Sequence, residues 1–128
     1  MNAPIQRYAS DLPLPFSKVV RAGGFLFLSG QIAMDDRRKP LQGDIAAQTH
    51  AVLRSIAATL AEHGADMQDV VRATVWLADL QDFPAFNEVY VQYFADALPA
   101  RSTVQATLAY GAALEIEVQA YVGDGARG

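Results

Sequence analysis

From Leu114 onward, apolar and polar residues alternate without a break. Leu114, Ile116, Val118 and Ala120 fall on one side, and Glu115, Glu117, Gln119 and Tyr121 on the other. A period of two marks a strand with one face in a core. The same period runs from Asp69 to Asp79. It predicts Val71, Ala73, Val75 and Leu77 on one face and Val70, Arg72, Thr74 and Trp76 on the other. A third alternating run starts at Arg101. It sets Ser102, Val104, Ala106 and Leu108 against Arg101, Thr103, Gln105 and Thr107. Ser17–Ala22 and Phe25–Ser29 read as two short strands joined by Gly23-Gly24, a turn that tolerates positive φ. Phe25-Leu26-Phe27-Leu28 is apolar on both faces, so that strand needs cover on both sides.

Two stretches switch to a helical period. Ile45, Val52, Leu53, Ile56 and Leu60 form one stripe, with Asp44 as N-cap and Gly64 where a left-handed C-cap belongs, giving a helix over about 44–63. Phe86, Val89, Tyr90, Tyr93 and Phe94 form a second stripe. It is capped by Asp82, carries Pro84 in its first turn and runs to about Ala97. Residues 1–15 hold Pro4, Pro13 and Pro15, show no period and read as an extended lead-in. Residues 32–34 continue extended, 35–43 form a polar excursion, and the glycine-rich tail 123–128 is expected to fray. The order β-β-α-β-α-β-β predicts one α+β domain spanning 1–128, a single mixed sheet with both helices on one face. The other face would carry Trp76, Thr74, Thr103 and one pair of the Phe25–Leu28 run. That is too apolar for water, and self-association would cover it.

Composition narrows the chemistry. The 128 residues contain no cysteine, so disulfides, thiolate metal sites and cysteine nucleophiles are excluded. A net charge of −4 opposes non-specific nucleic-acid binding; Arg37-Arg38-Lys39 is the one dense basic cluster and reads as a solvated turn. No apolar run reaches membrane-spanning length, and no signal-peptide pattern opens the chain; a soluble, cytoplasmic protein is expected. His50 and His63 stand thirteen apart on one helix, which turns them to roughly opposite sides, so no metal and no cofactor are expected. Phosphate-loop, dinucleotide and nucleophile-elbow motifs are absent.

What remains is Arg101, Glu115, Ser29-Gly30 and Asn87. A guanidinium at the first residue of a strand is pre-aimed, and its planar fork suits a carboxylate. The alternative is a surface arginine in an ion pair. Glu115 opens the last strand, which a hairpin would bring beside the Arg101 strand, so a structural Arg101–Glu115 pair is also open. The aromatics of the second helix read as core, Tyr90 being the one left open to another role.

These pieces together resemble the Rid family, the reactive intermediate deaminases, also called the YjgF or endoribonuclease L-PSP family. The resemblance spans about Phe16 to Val122. It rests on Phe25-Leu26-Phe27-Leu28-Ser29-Gly30-Gln31, Gln48-Thr49, Val70 through Leu77, Asp82-Phe83, Asn87-Glu88-Val89-Tyr90, Pro99 through Gln105, and Leu114-Glu115-Ile116-Glu117. It implies a chorismate-mutase-like fold assembled as a homotrimer with clefts between subunits. It also implies hydrolytic deamination of 2-enamino and 2-imino acids, such as 2-aminoacrylate and 2-iminopropanoate, to 2-keto acids and ammonia. By position, Arg101 would hold the substrate carboxylate and Glu115 would activate water. Ser29 and Gly30 would line the pocket together with Phe16, Tyr90 and Thr103, and Asn87 would be mainly structural. The chain departs from the family in three places. Phe16 stands where many members have tyrosine, Thr103 where a cysteine is common, and Ala109-Tyr110 where Leu-Pro is usual. Two other classes stay open: a ribonuclease or translation inhibitor, and a non-catalytic ligand-binding or chaperone-like trimer.

Overall fold

The computed structural model describes residues 4–123. Six strands form one mixed sheet: β1 (Ile5–Ala9), β2 (Ser17–Ala22), β3 (Phe25–Gln31), β4 (Val70–Leu77), β5 (Ala100–Gln105) and β6 (Leu114–Tyr121). Two helices interrupt them, α1 (Ile45–Glu62) and α2 (Phe83–Phe94). The spatial order is β1-β2-β3-β6-β4-β5. β4 and β5 run parallel, joined through α2, and the other neighbouring strands are antiparallel. The α+β class and the two helices are as expected. The expected tail lies, from 124 on, outside the described residues.

α1 forms where its stripe and its caps agree. The Asp44 carboxylate accepts from the Ala47 amide at 2.9 Å, and Gly64 takes φ 75 just beyond the last turn. Val52, Leu53, Ile56 and Leu60 are fully buried against Leu26, Val75, Leu114 and Ile116 in one core cluster. On β6 the predicted alternation holds at every position from Leu114 to Ala120.

Six expectations are corrected. The lead-in is not merely extended: Ile5–Ala9 adds an edge strand, antiparallel to β2. The Arg101 strand does not form a hairpin with the last one, because β4 lies between β5 and β6. A parallel β4–β5 pair needs a crossover, and α2 supplies it. On β4 the register shifts between Val70 and Arg72, so Val70 is buried at 4% exposure and Val71 stands out at 45%, the reverse of strict alternation. Thr103 is opposite Val75 and so shares the core-side face, leaving Val104 beside Trp76 on the open face. Asp82 makes no side-chain cap; Asp79 caps the preceding 3-10 turn instead, accepting from the Gln81 amide at 2.9 Å. α2 ends at Phe94, where Ala95 adopts φ 46.

The open face carries Phe25 and Phe27 from the doubly apolar strand, 41% and 38% exposed, while Leu26 and Leu28 point into the core. Val71, Val104 and Tyr121 are further exposed apolar positions of the sheet. Among the described residues, no helix is long and apolar enough to cross a membrane.

Candidate active site

The carboxylate comes first, because the sheet places it unambiguously. Glu115 is the second residue of β6, on the face away from the core. The start of that strand is tied down twice: the Ala78 amide donates to the Ala113 carbonyl at 2.9 Å, and the Ala113 amide donates to Gln48 Oε1 at 3.2 Å. Gln48 also donates to the Gly43 carbonyl at 3.1 Å, so one buried amide clamps two loops ahead of Glu115. Against Glu115 lies Gly30, inside the Leu28–Gln31 stretch where the β3–β6 register shifts. A Cβ there would run into the Glu115 carboxylate and lie 3.1 Å from its Cδ. The need for glycine here is space, not φ. Ser29 commits its proton to the Ser17 carbonyl at 2.5 Å, so toward a ligand its hydroxyl can only accept.

Phe16, Ser29, Gly30 and Glu115 line one cleft of about 400 Å³, whose walls also include Leu14, Ile32, Met34 and Tyr110. Burial pushes the Glu115 carboxyl above the ordinary glutamate value, and the negative charge of Glu117 adds to the rise. Desolvation of this kind makes a carboxylate a better proton acceptor at a pH where it is still ionised.

Arg101 is built differently. It follows the first residue of β5, and α2 lays an aromatic shelf against its guanidinium. The ring centroids of Tyr90, Phe86 and Phe83 lie 4.8, 5.4 and 5.5 Å from Cζ. These residues recur at the i, i+3, i+7 spacing that puts them on one face of the helix. No carboxylate of the described residues forms an ion pair with Arg101. The surface ion pair and the structural Arg101–Glu115 pair, both open from the sequence, are thus absent here. The cation rests on quadrupoles, with its charge unneutralised. Tyr90 is buried at 4% exposure, and its hydroxyl makes no hydrogen bond within the geometric limits. Burial raises the Tyr90 phenol pKa; the nearby Arg101 charge works against that rise without cancelling it.

The two groups do not meet within one chain. Arg101 is in register with Ala73, which is opposite Val118, whereas Glu115 is opposite Trp76. That offset is two strands sideways and three residues along, roughly 10 Å in each direction. Arg101 also turns to the core-side face and Glu115 to the open one. The eight expected residues therefore divide. Phe16, Ser29, Gly30 and Glu115 share the cleft. Tyr90 stacks under Arg101, Thr103 follows two residues on along the same face of β5, and Asn87 is half-buried on α2.

Sequence reasoning missed the shelf made by Phe83 and Phe86, whose spacing also fits plain core packing. It missed the clamp of Gln48, and it missed the outer wall from Leu14 and Tyr110. His50 lies apart from the cleft, Nδ1 2.7 Å from the Tyr93 hydroxyl. Among the described residues, no group of three or more histidine, aspartate or glutamate side chains could hold a metal ion.

Residues 9–122 match the family described as Endoribonuclease L-PSP. A RutC family protein of Pyrococcus horikoshii is 42% identical over 109 residues, covering 84% of this chain and 86% of that protein. The chloroplastic Reactive Intermediate Deaminase A of Arabidopsis thaliana is 40% identical over 105 residues, 80% of this chain and 56% of that longer protein. Among solved structures, the Rid family protein YyfA of Yersinia pestis superposes with a TM-score of 0.83 at 34% identity, covering 91% of this chain and 94% of that one. With a family match over residues 9–122 and a relative 42% identical over most of both chains, the chain belongs to the Endoribonuclease L-PSP family, the family also named Rid or YjgF.

Proposed function

We propose that this protein hydrolyses reactive 2-imino acids, formed from their 2-enamino tautomers, to 2-keto acids and ammonia. We further propose that it does so as a homotrimer in which the Arg101 corner of one subunit faces the Glu115 cleft of the next. The observation that carries the reading is the guanidinium of Arg101, held beside three aromatic rings with no carboxylate partner among the described residues. A fixed, partly desolvated, unneutralised fork is a receptor for a ligand carboxylate. The exposed apolar residues of the open sheet face supply a surface for self-association. The family relative named as a reactive intermediate deaminase supports the same chemistry.

In this mechanism Arg101 binds the substrate carboxylate through two N–H donors and sets the C=N carbon over the cleft. Ser29 accepts a hydrogen bond from the iminium nitrogen. Glu115 orients a water molecule and accepts one of its protons as the oxygen attacks the imine carbon. The C=N π pair moves to nitrogen, giving a carbinolamine. The proton on Glu115 then passes to that nitrogen. Ammonia leaves with the C–N electrons, the C=O forms, and the hydroxyl proton goes to solvent. One water is consumed, and no oxidant or reductant is required.

The family description also names RNA cleavage. The net charge of −4, and a cleft lined by neither histidine, favour a small anionic substrate over a polyanion. The test is keto-acid and ammonia release from an enzymatically generated imine, run beside RNA cleavage with the same preparation. Imine-dependent keto-acid release above the spontaneous rate, with intact RNA, is the expected result. Cleaved RNA with no gain in keto acid would overturn the proposal.

A further inference from the structure

Within one chain, with the neighbouring subunit's side left open, the Glu115 cleft measures about 400 Å³ and presents several apolar side chains. Glu115 and Gly30 contribute the chemical end. The lining continues through Phe16, Leu14, Ile32 and Met34 to Tyr110. Leu14, Phe16 and Tyr110 are 41%, 43% and 63% exposed, so these apolar surfaces contribute little to this chain's own core. Tyr110 also holds φ 59, a left-handed conformation that costs a side-chain-bearing residue energy. A large ring kept there, at the mouth of a cleft, needs a reason outside the packing of the fold.

The charged groups on the cleft walls narrow the ligand further. Arg38 is paired with Asp11 at 3.2 Å, and Lys18 with Glu62 at 3.6 Å. Neither basic group is left over for a second carboxylate on a substrate side chain, and Asp35 and Glu115 would repel one. An apolar side chain has several carbon surfaces to lie against.

Resting on the deaminase reading above, we infer that this cleft selects 2-imino acids with branched or aromatic apolar side chains over 2-iminopropanoate, and that Tyr110 and Leu14 set the preference. The α-carboxylate goes to Arg101 and the imine carbon to the Glu115 water. The side chain then runs outward between Leu14, Met34 and Tyr110.

The test compares kcat/KM for imines made in place by an amino-acid oxidase from leucine, phenylalanine, glutamate and alanine, with keto acid measured against a semicarbazide trap. The leucine- and phenylalanine-derived imines should exceed the alanine-derived one by about tenfold, the lower end for added methylenes in a one-sided pocket. The glutamate-derived imine should be the poorest. The double variant Leu14→Ser/Tyr110→Gly should fold well, since glycine suits φ 59. It should lose most of that preference, the leucine- and phenylalanine-derived imines falling by about tenfold relative to the alanine-derived one. Activity without preference in the wild type, or an unchanged preference in the double variant, overturns this inference alone. Dissociation of the double variant into monomers also overturns it, because the wall would then be an assembly surface. No acceleration of any imine removes the deaminase reading itself.

Discussion

Arg101 and Glu115 are two charged residues treated in opposite ways by the same sheet. Arg101 sits on the edge strand with no carboxylate partner among the described residues, its guanidinium beside Tyr90, Phe86 and Phe83. Glu115 sits on β6, between β3 and β4, with its carboxylate pressed against a glycine and its charged form penalised by burial. The first is a cation waiting for an anion; the second is a base made more basic. The rings attract the Arg101 cation, but burial of the Glu115 charge costs the fold stability. Under the proposed function each is half of a reaction centre, and the sheet keeps the two residues on opposite faces.

The comparison breaks most sharply at Glu115. Glu115→Gln keeps the shape but cannot take a proton from water, and keto-acid release should fall by about a hundredfold or more. The same variant should melt at the same temperature or higher, since it removes a charge that burial disfavours. The pH sign follows. A glutamate whose folded pKa is raised binds more protons folded than unfolded, so its ionisation subtracts stability as pH rises through that range. Wild-type stability should thus gain on acidification just where activity is lost, and Glu115→Gln should flatten that gain. The wild-type activity limb should fall at a pH above the ordinary glutamate value of 4.5, a direct titration of the buried carboxyl. A limb at or below that value would remove Glu115 as the base.

At Arg101 the effect is next in size. Arg101→Lys keeps the charge and loses the fork, which should cost roughly 1.5–3 kcal/mol, or about ten- to a hundred-and-fifty-fold in rate. Arg101→Ala should be worse. If the arginine served only an exposed ion pair, the lysine variant would be nearly silent, since such pairs contribute at most ~1 kcal/mol. Melting curves beside the rates separate loss of chemistry from loss of fold.

Gly30→Ala is subtler. The added methyl must displace the Glu115 carboxylate, so kcat should drop about tenfold or more through misplacement of the base. Proton inventory and fold should be little changed. An unaltered rate would mean that the carboxylate has room to move and still works.

How much of this was legible in the sequence depends on what each residue touches. β6 and α1 read correctly because each has one face wholly in the core, which imposes the period of two or the helical stripe. β1 left no period because an edge strand with both faces largely exposed imposes none. The reversed faces at Val70 and Val71 come from a bulge, which alternation cannot announce. The pairing of β5 was misjudged because adjacency in sequence favours a hairpin, whereas the crossover through α2 lays β5 on the far side of β4. Ser29, Gly30 and Glu115 were singled out in the sequence by the family resemblance, and the structure sets them along one cleft. Their contact in space needed the β3–β6 pairing. Arg101 was singled out by its strand position, but the rings that hold it read as core until the helix was seen to turn them toward it.

The central claim is that Arg101 and Glu115 act together across two subunits. Subunit exchange tests it most directly. Arg101→Ala and Glu115→Gln are each expected to be inactive on their own. Dissociated together under mild denaturant and reassembled one to one, they should form some interfaces that receive a native Arg101 from one chain and a native Glu115 from its neighbour. Random assembly predicts recovery of about one quarter of the wild-type sites. Activity near that level supports a shared site. Reassembled, correctly sized oligomers with no recovered activity would contradict it, because arginine and glutamate would then have to come from the same chain.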